Sequence, residues 1–296
     1  MCTLTWHFSA GGRVPGAGYQ VHFNRDERRT RKPALRPAVE RIGGVPVIMP
    51  TDADAGGTWI SVNAHGVTLT LLNAESPQPK EGGSAAFRGG GRATSSRLPI
   101  LTARQDPEAL KLNGYRFLVD ADGAPPPGAR SRGLLVRDLA GRASSAAVGA
   151  RLAELELGSY QPFTLVAFAN DAPARCFEWS GRRLEARDLM DSDRPVCSSS
   201  VDQERAERER AGLWREMLSS GELCDPAGTL ARFHASHEPE RGAASVCMHR
   251  ADARTVSYSI VSVRPRGIRF DYVPGPPCST SERVTLEIER TPAAVS

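Results

Sequence analysis

The chain has 296 residues, 40% of them hydrophobic, enough to bury one large core. Its 38 basic and 34 acidic side chains are interspersed, and basic stretches such as Arg28-Arg29-Thr30-Arg31-Lys32 carry no stacking aromatics, so nucleic acid is not an expected partner. No apolar run approaches the ~18 residues that span a bilayer, and no basic segment leads into an apolar one at the start, so a cytoplasmic protein that does not span the membrane is expected.

Cys2 follows the initiator methionine. Methionine ahead of a small side chain is commonly removed, and a chain beginning at Cys2 carries a thiol and an α-amine on one residue. The amine titrates near ~7.7 to 8.0 and the thiol near ~8.5, so the amine can take the thiol proton without a distant histidine. The thiolate is the reactive form. Leu4, Trp6 and Phe8 predict a strand over 3–8, which holds Cys2 on a sheet. A second strand over 19–23 ends in Asn24-Arg25-Asp26-Glu27. These four polar residues read either as a solvated turn or, if the two strands pair, as neighbours of Cys2. Adjacent strand residues point to opposite faces, so Arg25 and Asp26 both face Cys2 only if the strand has ended.

Pro33 to Pro37 breaks the pattern, and residues 45–49 offer a short strand. Asp52-Ala53-Asp54-Ala55-Gly56-Gly57 forms a turn, because glycine supplies the positive φ that tight turns need. Residues 58–62 and 67–72 predict a hairpin that closes at Asn73. From 75 to about 129 glycine, proline, serine and arginine dominate, an enlarged loop within a single domain over 1–296, with a helix start at Asp106-Pro107 and a short strand at 116–119. Residues 133–139 and 146–157 read as helices, 164–169 and 175–179 as paired strands, and 183–189 as a further strand. Ser200 and Gln203 have capping-box spacing ahead of a charged helix over 202–218, and Asp225-Pro226 opens another that carries His234. Residues 244–248, 255–263 and 267–272 are strand candidates, and the tail from Pro274 carries little signal. The order suits a layered α+β sandwich.

The six cysteines are not densely spaced and none forms a CxxC pair, so neither disulfides nor a structural zinc site is expected. His234 and His237, three apart, and Cys247 and His249, two apart, match no usual metal spacing. The expectation is no metal and no cofactor.

Met1-Cys2-Thr3-Leu4, Asn24-Arg25-Asp26-Glu27, Gly56-Gly57-Thr58-Trp59-Ile60 and Thr70-Leu71-Leu72-Asn73, in that order, resemble the NRDE family, also called the transport-and-Golgi-organisation protein 2 family. Ser131-Arg132-Gly133, Tyr160-Gln161-Pro162-Phe163 and the stretch from Ala244 to Ser259 extend the resemblance over most of the chain. It implies the N-terminal-nucleophile hydrolase fold, a four-layer αββα sandwich. By analogy with the cysteine amidases of that superfamily, which act on bile-acid conjugates and penicillin V, it implies Cys2, Arg25, Asp26 and Asn73 as catalytic residues. Cys2 is the nucleophile, Asp26 orients its amine, Arg25 holds the thiolate or a substrate anion, and Asn73 donates to the oxyanion. Asn24, Trp59, Ser199 and Arg254 are the implied substrate contacts, Ser199 standing where the family has a second oxyanion asparagine.

Two functions are compatible with these residues. One is a cysteine amidohydrolase that cleaves a C–N amide bond of a small acylated substrate through a Cys2 thioester. The other is a non-catalytic binding or trafficking protein for acyl-CoA, lipid or haem.

Overall fold

The alternation in the first thirty residues is realised as an antiparallel pair. In the computed structural model, which describes residues 2–9, 18–74, 130–170, 172–190, 193–219 and 225–291, strand β1 (Cys2–Phe8) runs beside β2 (Tyr19–Arg28) with Cys2 opposite Arg25. Next come β3 (Leu35–Ile42), β4 (Val45–Thr51), β5 (Ile60–Asn63) and β6 (Thr68–Asn73), helices α1 (Arg132–Leu139) and α2 (Ser145–Glu154), and strands β7 (Phe163–Ala169), β8 (Ala172–Trp179), β9 (Leu184–Asp188) and β10 (Val196–Ser198). Helices α3 (Gln203–Ser219) and α4 (Pro226–Ala235) lead to β11 (Ala253–Val263), β12 (Gly267–Val273) and β13 (Val284–Glu289). The enlarged loop, the helix at Asp106-Pro107 and the strand at 116–119 lie outside the described residues.

The strands form two antiparallel sheets, ordered β10-β1-β2-β11-β12-β13 and β3-β4-β5-β6-β7-β8-β9. Strands covered on both faces read as unbroken apolar runs, and parity sorts their side chains. In β7, Val166 and Phe168 join Leu4, Trp6, Phe23 and Phe270 between the sheets, while Phe163, Leu165 and Ala167 pack with Leu135, Val136, Val148 and Leu152 of α1 and α2. On the far side, Trp214 of α3 and Leu230 and Phe233 of α4 cover the first sheet with Val246. The result is the αββα sandwich. Among the described residues no helix is long and apolar enough to cross a membrane.

Several expectations are corrected. Leu35–Ile42 is a strand despite Pro37, because it is the edge of its sheet, where a missing N–H can face away from the ladder. Residues 244–248 are not a strand: Val246 fills the space under α3 and α4, and the Ser245 hydroxyl, donating to the carbonyls of Gly242 and Cys247, ties the segment into an irregular path. The tail, weakly patterned, adds β13 as an edge strand. The α3 cap is Asp202, whose Oδ1 accepts the Arg205 N–H, while Gln203 folds back so that its Oε1 accepts the Ser199 N–H and its amide donates to the Cys197 carbonyl.

At the site, the loop before β5 and the start of α1 make a tight backbone crossing. A Cβ on Gly57 would lie 2.3 Å from the Gly133 carbonyl carbon, and one on Gly133 would lie 2.8 Å from the Thr58 nitrogen. The Thr58 N–H donates to the Gly133 carbonyl at 3.0 Å across that contact. Gly57→Ala should therefore push α1 off the loop before β5 and lower stability by about 1–3 kcal/mol, the cost of overpacking, as read by urea unfolding.

Candidate active site

Cys2 is 6% exposed and opens β1, paired to Arg25 of β2 on one side and to Ser198 of β10 on the other. It lies on a cavity of about 730 Å³ whose wall includes Arg25, Asp26, Asp52, Trp59, Asn73 and Arg132. Elements of both sheets and the first turn of α1 contribute, so the cavity exists only when the sandwich is closed.

Strand parity decides what each β2 residue does. Val21, Phe23 and Arg25 face the second sheet; His22, Asn24 and Asp26 face the helices. The strand continues to Arg28, so it has not ended at Asp26 as the two-residue juxtaposition would require. Instead the neighbours flank Cys2 from opposite sides of the sheet. A register shift in β11 between Thr255 and Ser257 falls directly opposite the Arg25–Asp26 step.

On the cavity side, the Arg25 guanidinium donates to Asp52 Oδ2 at 2.5 Å and lies 4.1 Å from the centre of the Trp59 ring, a cation–π arrangement. Arg31 holds the same carboxylate through contacts of 2.9 and 3.1 Å, and the N–H groups of Asp54 and Ala55 donate to its Oδ1. Burial alone would raise the Asp52 carboxyl, but the Arg31 hydrogen bond and the charges of Arg25 and Arg31 outweigh it and hold it below the ordinary range. The Arg132 guanidinium, which donates to the Pro162 carbonyl, is pushed down to about 10 by burial, with the charges of Cys2 and Glu27 acting in the opposite direction.

On the helix side, Asp26 Oδ1 accepts from the Thr255 hydroxyl at 2.6 Å, and Oδ2 lies 3.9 Å from the Arg210 guanidinium, both side chains being completely buried. Burial pushes the Asp26 carboxyl up, opposed by the Arg210 charge and the Thr255 hydrogen bond. Arg210 also donates to Thr3 Oγ1 at 2.8 Å and to the Ser245 carbonyl at 2.9 Å. Burial likewise raises the Cys2 thiol, with the Asp26 charge acting in the same direction, while the amino-terminal charge, the Asp26 backbone N–H and the Arg25 charge favour its thiolate.

Of the eight residues singled out from the sequence, Cys2, Arg25, Asp26, Trp59 and Asn73 line the cavity. Asn24, Ser199 and Arg254 are not among its lining residues. Asn24 faces the helices, its amide donating to the carbonyls of His234 and Val246. Ser199 lies past the end of β10, where its hydroxyl accepts the N–H groups of Val201 and Asp202; the serine across from Cys2 is Ser198. Arg254 is exposed and paired in register with Glu27. Asp52, Arg31, Arg132 and Arg210 had not been singled out. For Asp52 and Arg132 a signal existed, since both lie in or beside quoted motifs. Arg210 sits in a highly charged helical stretch that masks one buried cation among several exposed ones.

Two sheets face to face, helices on both outer faces and a cysteine at the first residue of a central strand define the N-terminal-nucleophile hydrolase fold. The chain matches the Caenorhabditis elegans ortholog of N-acylethanolamine-hydrolysing acid amidase with a TM-score of 0.50 at 11% identity, over 90% of this chain and 93% of that one. It also matches penicillin V acylase from Agrobacterium tumefaciens (TM-score 0.44, 10% identity, 98% of this chain and 86% of that one). A mutant conjugated bile acid hydrolase from Clostridium perfringens matches with a TM-score of 0.45 and 11% identity over 97% of this chain and 92% of that one. No family model matches the sequence and no curated protein sequence matches it.

The Asp52 carboxyl is depressed when folded, so its stabilisation is present above the ordinary aspartate value of about 3.9 and is lost as pH falls through the folded value. Asp52→Asn should cost about 1–3 kcal/mol at neutral pH, the worth of hydrogen bonds to charged groups, and the gap to the parent should narrow in acid unfolding series taken below pH 4.

Proposed function

We propose that the chain is a cysteine amidohydrolase of the N-terminal-nucleophile type, in the NRDE branch to which its motif order points, acting on a C–N amide bond of a small acylated substrate. The observation that carries this reading is the position of Cys2, first in β1, on the cavity wall and within electrostatic range of Arg25, Asp26 and Arg132.

With Met1 removed, the Cys2 amine takes the thiol proton and Sγ attacks the substrate carbonyl carbon, placing the charge on the carbonyl oxygen. Asn73, last in β6 and on the cavity wall, is one donor to that oxygen. Ser198, opposite Cys2 but like Ser199 not among the cavity-lining residues, has a buried hydroxyl with no hydrogen-bond partner among the described residues and is the second donor in this reading. The C–N bond then breaks, the ammonium returning its proton to the leaving amine. Water, deprotonated by the same amine, attacks the thioester and releases the acyl group as a carboxylic acid. Asp26, anchored by Thr255 and Arg210, holds the ammonium through a charge-assisted hydrogen bond. Arg132 favours the thiolate and an anionic group on the substrate.

The Trp59 indole N–H is buried without an acceptor among the described residues, and the wall carries Arg130 as well as Arg132. These features equally suit a bound anionic ligand without turnover, such as an acyl-CoA, a lipid or haem, and this is the second reading.

The two separate when a panel of N-acyl amides is mixed with the protein, quenched in acid and weighed intact. Hydrolysis predicts an acyl adduct on the Cys2 peptide, loss of all turnover in Cys2→Ser, and a roughly 10²–10³-fold drop in kcat in Asn73→Ala, the worth of one oxyanion donor. Ligand retention by the parent and Cys2→Ser alike, with no adduct or product from any amide, supports the binder and sinks the hydrolase.

A further inference from the structure

Outside the cavity, a second group of nucleophilic and ligating side chains converges where nothing in the proposed reaction uses it. His237 follows α4, Cys247 and His249 lie in the irregular segment before β11, and Cys278 lies in the loop between β12 and β13. One ligand atom from each, two imidazole nitrogens and two thiol sulfurs, falls within 4.8 Å of every other. Cys247 Sγ and His249 Nε2 are 3.6 Å apart, and His249 Nε2 and Cys278 Sγ are 3.3 Å apart. The rings of His237 and His249 have their centroids 5.1 Å apart, and His237 Nε2 is buried without a hydrogen-bond partner among the described residues.

These separations fit one kind of occupant. A tetrahedral zinc ion, with sulfur at about 2.3 Å and nitrogen at about 2.0 Å, sets its ligand atoms roughly 3.3–3.8 Å from one another. Two cysteines and two histidines are a closed structural donor set, with no position left for water. We infer that His237, Cys247, His249 and Cys278 bind a structural zinc ion. Each thiol gives up its proton to bulk water as it ligates, so binding releases two protons. Sequence spacing would not reveal such a site, because three ligands come from one irregular segment and the fourth from a loop across two intervening strands.

The position of the site gives the ion a structural task. Met248, between the ligands Cys247 and His249, donates its N–H to the Thr255 hydroxyl and accepts the Thr255 N–H at its carbonyl, both at 2.8 Å. That hydroxyl is the donor to Asp26. The carbonyls of Ala244 and Ser245, on the same segment, accept from Arg210. An ion clamping this segment to the β12–β13 loop thus fixes both groups that hold the Asp26 carboxylate.

The test uses the full chain stripped of metal and titrated with Co²⁺ alone, then with Zn²⁺ in competition. Intense visible d–d bands with a near-ultraviolet thiolate-to-cobalt band, saturating at one ion per chain and bleached by Zn²⁺, are expected. Cys278→Ser, at a partly exposed loop position, should lose roughly half of the charge-transfer intensity, one thiolate of two remaining, and weaken binding by roughly 100-fold or more. Cys176→Ser, in the inter-sheet core, should leave the spectrum unchanged. Zn²⁺ should raise the melting temperature of the parent and not of Cys278→Ser. The proposal is overturned if no thiolate-to-cobalt band forms, if Cys278→Ser binds as the parent does, or if peptide mapping of the isolated protein joins Cys247 to Cys278 as a disulfide, two hydrogens lighter and unable to ligate.

Discussion

A guanidinium completely removed from water must find acceptors for its N–H groups and an opposing charge, or cost several kcal/mol. Arg210 is such a group, and the segments that satisfy it are those that build the site. It reaches out of α3 to Thr3 on β1, to the carbonyls of Ala244 and Ser245, and towards Asp26 on β2. The strand carrying Cys2 is therefore held at its first turn of pairing by a cation from the helix layer, and not left to fray as a terminus does. Without Arg210 the Asp26 carboxyl, already pushed up by burial, would lose its chief opposing charge and take up its proton more readily. Structural and electrostatic constraints on the nucleophile thus share one residue.

The sheet divides the site into two environments that act on Cys2 from opposite faces. Towards the second sheet, the arginines and Asp52 form a polar, partly open wall, and ionised partners keep one another charged. Towards the helices lies a dry polar layer in which His22 and His234 both sit well below the ordinary imidazole range through burial, so they are neutral hydrogen-bonding groups and not acid–base candidates. Thr5 and Tyr258 are their partners. The buried Asp26–Arg210 pair is the charged exception in this layer, and it lets Asp26 act on Cys2 without being exposed to solvent. Adjacent residues of a continuing strand, Arg25 and Asp26, can then serve one cysteine.

How much of this the sequence reveals depends on whether the signal is local. Strand alternation in 3–8 and 19–23 gives the pairing that brings Arg25 next to Cys2, and the parity of β7 and β6 follows from apolar runs covered on both faces. β10 is three residues long and exists because Cys2–Leu4 pairs with it, so no local pattern announces it. The same lack of range leaves the sequence unable to choose between Ser198 and Ser199, because register, not composition, pairs Ser198 with Cys2. Asn24 faces the helix layer, where its amide is taken up by the carbonyls of His234 and Val246, two partners far away in sequence. Residues 244–248 look like a strand because they are apolar, whereas their hydrogen bonds are set by Ser245, Thr255 and Arg210, all distant partners.

The central claim is that Cys2 becomes a free amino-terminal nucleophile in an electrostatically prepared site. The direct measurement is the intact mass of the purified protein before and after brief alkylation with a thiol-selective reagent across a pH series, with the label mapped to the terminal peptide. The account requires a mass lacking Met1 and labelling at Cys2 that is faster than at Cys176, Cys197 and Cys247 and follows a single titration. A chain that retains Met1, or a Cys2 no more reactive than those buried thiols, contradicts it.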